Sequence, residues 1–127
     1  MNDMNELDVV GKRIVHAAYT VHSTLGPGLL EKVYELCLAH ELKKSGLMVE
    51  QQILVPIRYD TLVVEEGLRI DLLVNKQVVV ELKAVEQLLP VHQAQTLTYL
   101  KLTNLRLGYL INFNVPLIKD GIHRYVL

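Results

Sequence analysis

A single cysteine, no surplus of basic side chains and no long apolar run are what this sequence leaves out. Cys37 has no second cysteine to pair with, so an internal disulfide is excluded. Its apolar neighbours in a helical pattern suit a reducing compartment, and the expected location is the cytoplasm. Lys and Arg number 13 against 14 Asp and Glu, a formal net charge of -1, so no global positive field announces nucleic acid or an anionic membrane. The start, MNDMNELDVV, is acidic and leads into no apolar segment of spanning length. Neither a signal peptide nor a membrane span is therefore expected. Internal repeats and low-complexity stretches are missing as well. His16, His22, His40 and His123 share no ligand-like spacing with one another or with Cys37, which argues against zinc. Tyr19, Tyr59, Tyr109 and Tyr125 are scattered without basic neighbours and read as packing, not as a platform for stacked bases.

What is present is a 127-residue chain with 50% apolar and 21% charged side chains, the profile of one soluble domain spanning residues 1–127. A chain of this size buries roughly two-thirds of its unfolded surface without disulfide or metal staples. Val10, Ile14, Ala17, Val21 and Leu25 recur at three- and four-residue steps and predict a first amphipathic helix, stopped by Gly26-Pro27-Gly28. A second helix begins near Leu29, carries an apolar stripe through Val33 and Cys37, and ends at Ser45-Gly46. From Leu47 the pattern turns β-branched and alternating, with strand segments at 48–59, 62–64, 67–74 and 77–85 forming an antiparallel meander. Pro90 opens a third helix through Gln95, Tyr99 and Leu102. Two strands follow, 106–113 and 122–127, the second after a tight Asp120-Gly121 turn. The order α-α-β-β-β-α-β-β predicts a layered α/β or α+β domain with the meander at its centre.

Charges inside apolar strands are the informative feature. Asp71 interrupts Gly67-Leu68-Arg69-Ile70-Asp71-Leu72-Leu73-Val74, and Glu81 and Lys83 interrupt Val78-Val79-Val80-Glu81-Leu82-Lys83-Ala84-Val85. Alternation along a strand puts Glu81 and Lys83 on one face. Asp71 joins them only in one register. A two-residue loop of Asn75 and Lys76 would pair Asp71 with Val80; a three-residue loop, with one residue in the left-handed region, pairs Val74 with Val78 and Asp71 with Glu81. In the second register two carboxylates and a lysine crowd together, a hard-oxygen site for Mg²⁺, with Mn²⁺ as the substitute. There the cation would polarise a phosphate while the lysine orients the attacking water or steadies developing charge. The same residues would also serve as a buried ion pair that merely fixes register, and spacing does not choose between the two.

Asp71, nine intervening residues and Glu81-Leu82-Lys83 resemble the D…(D/E)xK signature of the PD-(D/E)XK nuclease superfamily, with Ile70 where the name-giving proline would stand. Gly28-Leu29-Leu30-Glu31-Lys32-Val33-Tyr34 resembles the G-x-x-E-x-x-Y motif of the small GxxExxY proteins, a branch of that superfamily, over nearly the whole chain. The resemblance implies a central mixed β-sheet flanked by helices, with the first helix as an addition. It implies Asp71, Glu81 and Lys83 as catalytic residues, Asp71 and Glu81 as metal ligands, and Glu31 as the glutamate that completes the metal shell. Glu31 lies on the same helical side as Tyr34, Glu35 and Leu38, and read alone it is an acid favoured by the helix dipole. Gln95-Thr96-Leu97-Thr98-Tyr99 resembles the Q-x-x-x-Y motif of RecB- and lambda-exonuclease-type nucleases. Gln95 and Tyr99 share a helix face with His92, and these three together with Tyr34 are the implied substrate-binding set. The bland alternative keeps Tyr99 in the helix core with Gln95 bonded to its hydroxyl.

The implied activity is a Mg²⁺-dependent nuclease, on DNA before RNA. Residues 100–127 hold Lys101, Arg106, Lys119 and Arg124 against Asp120 alone, net +3, a modest phosphate track that a homodimer would lengthen. The alternative is a catalytically idle metal- or nucleic-acid-binding module, or an accessory subunit, built on the same fold.

Overall fold

Residues 4–127 are described by the computed structural model, and the chain opens with two helices packed on each other. Helix α1 (Met4–Leu25) buries Leu7, Val10, Ile14, Ala17, Ala18 and Val21 along the expected stripe, while Leu25 at its end is exposed. Gly26 and Gly28, both at positive φ, turn the chain into α2 (Glu31–Lys44). Only glycine adopts that backbone without a Cβ penalty.

The buried side of α2 corrects the sequence reading. Tyr34, Glu35, Leu38, Ala39 and Leu42 face inward, whereas Val33 and Cys37 are only half-buried. Tyr34 decides the orientation: its ring stacks on Phe113 with centroids 4.7 Å apart, and both are fully buried. An aromatic pair of that area outweighs the smaller Val33 and Cys37.

Five strands make one sheet in the order β1 (Val49–Tyr59), β2 (Leu62–Val74), β3 (Val78–Lys83), β4 (Leu107–Asn112), β5 (Ile122–Val126). Helix α3 (Pro90–Thr103) connects β3 to β4, which run parallel; the other pairs are antiparallel. The segments 62–64 and 67–74, read from sequence as separate strands, form one continuous β2. Its irregularity lies opposite, where the β1 register shifts between Val55 and Ile57. Pro56 stands there without an N–H to donate, a residue an edge strand tolerates. The Asp120-Gly121 turn is preceded by a short 3₁₀ turn at Ile118–Asp120.

Two apolar clusters flank the sheet. Leu72, Val74, Val78, Val80 and Leu82 pack with α1 and α2, while Leu68, Ile70, Val79 and Leu100 form a smaller cluster on the α3 side. Alternation along β2 breaks between Ile70 and Leu72, and along β1 between Val49 and Ile53, so both strands exchange their buried face at the level of Gln52 and Asp71. Pairing skips that level while the offset on either side stays the same.

Candidate functional site

The register required for a shared site is the one the protein adopts. Val74 pairs with Val78 and Leu72 with Val80, which sets Asp71 opposite Glu81. The loop achieves this with two left-handed residues rather than one, Asn75 at φ 52 and Lys76 at φ 55. Asn75 is held there by Met48, whose N–H donates to Asn75 Oδ1 at 2.9 Å and whose carbonyl accepts the Asn75 N–H at 2.8 Å.

Regular pairing of β2 with β3 extends only from Val74–Val78 to Leu72–Val80, while β3 stays paired to β4 as far as Lys83. The two strands therefore fork at Asp71 and Glu81. Each carboxylate fills the gap the fork leaves in the ladder: the Asp71 N–H donates to Glu81 Oε2 and the Leu82 N–H to Asp71 Oδ2, both at 2.9 Å. Backbone donors otherwise stranded by the fork are thereby satisfied, and both acids are fixed by main chain rather than by free rotation.

Electrostatically the fork is acidic and under-compensated. Glu81 is 5% exposed, and its pKa is pushed up to about 8, first by burial and then by the Asp71 charge. Asp71 is raised as well, chiefly by burial, against the pull of its bond from Leu82. Glu31, at the exposed start of α2, is raised by partial burial and by Asp71, with Lys83 acting in the opposite sense. Lys83 thus stands within electrostatic reach of Glu31, Asp71 and Glu81 without a contact ion pair among the described residues. Three acids share one lysine.

From the α3 side, Tyr99 reaches the fork. Its hydroxyl accepts from Gln95 Nε2 at 3.1 Å. Burial raises its pKa first, Glu81 and Asp71 raise it further, and bonding from the Arg69 backbone lowers it. Gln95 and Tyr99 are therefore joined as the bland reading has it, and Tyr99 is within electrostatic reach of Glu81 and Asp71. His92 accepts the Leu89 N–H on Nδ1 at 3.1 Å, closing the first turn of α3. Tyr34 departs from the substrate-binding set. Fully buried, it donates its hydroxyl to the Gly26 carbonyl at 2.6 Å and accepts the Leu29 N–H at 3.1 Å, so it fastens the glycine turn ahead of Glu31 and offers no surface to a substrate.

Two residues next to Asp71 lie outside every motif. Glu35, 3% exposed, accepts from Gln51, Gln52 and Lys32, and Gln52 also approaches Asp71. A charge on the Tyr34–Leu38 side of α2 was the available signal for Glu35; nothing in the sequence marks Gln52. The basic edge is also rearranged. Arg106 precedes β4 at the end of the sheet away from Lys83, and Arg124 spends its charge on Asp8 at 2.6 Å.

Among the described residues no three His, Cys, Asp or Glu side chains converge as a ready-made metal group. The donor chemistry nonetheless suits a hard divalent cation. Mg²⁺ is held by one or two carboxylates and keeps waters for the rest, and the raised acids of the fork lack positive charge. A concavity of 670 Å³ lies away from the fork, between Asp8, Lys12, Tyr109 and Arg124.

Among the described residues, three α-helices on a five-stranded mixed sheet, with an acid fork and a lysine on adjacent strands, define an α+β fold of the nuclease-like class. The model of the PD-(D/E)XK nuclease superfamily matches residues 8–125, and the chain belongs to that superfamily. No individually curated protein and no solved structure matches it. No helix among the described residues is long and apolar enough to cross a membrane.

Proposed function

We propose that this chain is a Mg²⁺-dependent nuclease of the GxxExxY branch that hydrolyses phosphodiester bonds, in DNA before RNA, in the cytoplasm. The observation that carries the reading is the fork: Asp71 and Glu81 face each other across β2 and β3 with Lys83 beyond them, in a superfamily of nucleases. Asp71 and Glu81 would hold the cation, with Glu31 completing the shell; Mn²⁺ would substitute. When bound, the cation supplies positive charge against the phosphate and makes the attacking water more acidic. Lys83 orients that water and steadies charge as it develops on the phosphate oxygens. Asp71 keeps its geometry through the Leu82 N–H, and Glu81 through the Asp71 N–H. Gln95 and Tyr99 lie on the α3 side, where they would hold the strand or place Lys83. Their likeness to the motif of RecB- and lambda-exonuclease-type enzymes supports DNA as the substrate.

The near-neutral charge argues for weak or assisted binding, since phosphate affinity comes largely from Lys and Arg. A homodimer would add to it. One observation favours a second reading, an idle metal- or nucleic-acid-binding module: the fork acids each commit an oxygen to a backbone N–H. Single- and double-stranded DNA and RNA, incubated with the protein in Mg²⁺ or Mn²⁺ beside Asp71→Ala and Lys83→Ala, separate the readings. Cleavage lost in both variants is the expected result. Cleavage that persists in both belongs to another site or a contaminant. Metal binding without cleavage assigns the idle module.

A further inference from the structure

Gln52 is the strained residue of the sheet. Its φ of 53 lies in the left-handed region, which a side chain without glycine's freedom or asparagine's local bonding adopts at a cost. It also sits where both strands of the β1–β2 hairpin exchange their buried face and pairing is skipped, directly beside Asp71. Something must over-determine that conformation, and the hydrogen bonds identify it. The Gln52 side-chain nitrogen donates to Glu35 Oε1 at 2.6 Å and approaches Asp71 Oδ1 at 3.4 Å. An amide nitrogen carries two hydrogens, so one group serves both carboxylates. Glu35 is itself fixed, because its other oxygen takes Gln51 Nε2 and Lys32 Nζ, each at 3.1 Å. A buried carboxylate with that many donors is an anchor.

We infer that Glu35 and Gln52 are positioning residues for Asp71: Glu35 holds the Gln52 amide from α2, and the amide holds Asp71 in the orientation that captures the Leu82 N–H. The inference deepens the reading of Asp71 as a site residue and rests on it. Without the amide, two like charges would face each other across the kink with no donor between them, and Asp71 would turn away from the fork. A merely structural role differs in what it leaves untouched, since a kink residue shapes the hairpin without governing the carboxylate.

Gln52→Gly distinguishes the two. Glycine takes the same backbone without strain, so the fold is kept while the amide is removed. Thermal unfolding, amide exchange at Leu82 by NMR, and Mn²⁺ titration are read on the whole protein. The expected result is a protein that still unfolds cooperatively, with strain relief at residue 52 offsetting part of the lost amide bonds, Leu82 exchange faster by on the order of tenfold, and Mn²⁺ affinity weaker by on the order of tenfold, the usual size of an outer-shell loss. Gln52→Asn, whose amide is one methylene short of the bridge on a backbone asparagine tolerates, is expected to show the same two losses. Leu82 exchange and Mn²⁺ affinity equal to the unaltered protein in both variants would overturn the inference. Should the unaltered protein bind no Mn²⁺, the metal reading fails separately and Leu82 exchange alone decides: faster supports the positioning role, unchanged refutes it.

Discussion

At the scale of single residues, the fork is set apart by acids that lack compensating charge. Glu81 lies buried beside Asp71, and with only Lys83 offsetting their charges it keeps its proton to about pH 8 against an ordinary 4.5. Between those values the folded chain binds more protons than the unfolded one, so stability falls as pH rises through the window and levels off above it. Asp71 and Glu31, both raised, act in the same direction. Thermal unfolding in a chelator should therefore give a midpoint that declines from about pH 5 to pH 8, with Glu81→Gln removing most of the slope; a midpoint rising across the window would refute the assignment. Tyr34 supplies a second test at this scale. Removing its hydroxyl in Tyr34→Phe strands the Gly26 carbonyl and the Leu29 N–H while keeping the stack on Phe113. A loss of about 1–3 kcal/mol in denaturant unfolding is expected.

At the scale of elements, the pairing of Asp71 with Glu81 was legible as one of two registers, because parity is rigid. Once strands were recognised on either side of Asn75-Lys76-Gln77, only one register could bring Asp71 to Glu81, and Val74–Val78 pairing is that register. The inward face of α2 was not legible, since Val33–Cys37 and Tyr34–Leu38 are both plausible apolar stripes and only Phe113, distant in sequence, selects the second. Glu35, placed on the Tyr34–Leu38 side, was given no role for the same reason, and Gln52 was missed because no glycine or asparagine signals its backbone. Continuity of β2 through Gly67 was hidden too: the glycine suggested a break, whereas a Cβ there would meet the Ile57 side chain of the facing strand. Gly121 gives this scale its prediction. A Cβ at that position would meet the Asn112 carbonyl, which is backbone and cannot swing aside, and Asn112 also clamps Val85 just past Lys83 through its side-chain amide. Gly121→Ala should cost about 1–3 kcal/mol of stability, measured by denaturant unfolding, and should shift the Val85 amide resonance. An unchanged Val85 would show that the β4–β5 corner and the exit of β3 are independent.

For the molecule as a whole, a net charge of -1 is compatible with a nuclease fold: three of its 14 acids, Glu31, Asp71 and Glu81, belong to the proposed cation site, where a bound cation would offset them. The two ends of the sheet differ accordingly: the fork and Lys83 lie at one, Arg106 at the other, and Arg124 is already paired. Divalent cation should therefore stabilise the folded chain most at high pH, where the fork is ionised; Mg²⁺ at pH 8 is expected to raise the unfolding midpoint and to do nothing in Asp71→Asn. The central claim, required by the active reading and by the metal-binding form of the idle one, is that Asp71 and Glu81 together hold a divalent cation. Calorimetric titration of the whole protein with Mn²⁺ at pH 8 tests it most directly. The expected result is a single site lost in both Asp71→Asn and Glu81→Gln; binding heat that survives unchanged in either variant would contradict the claim.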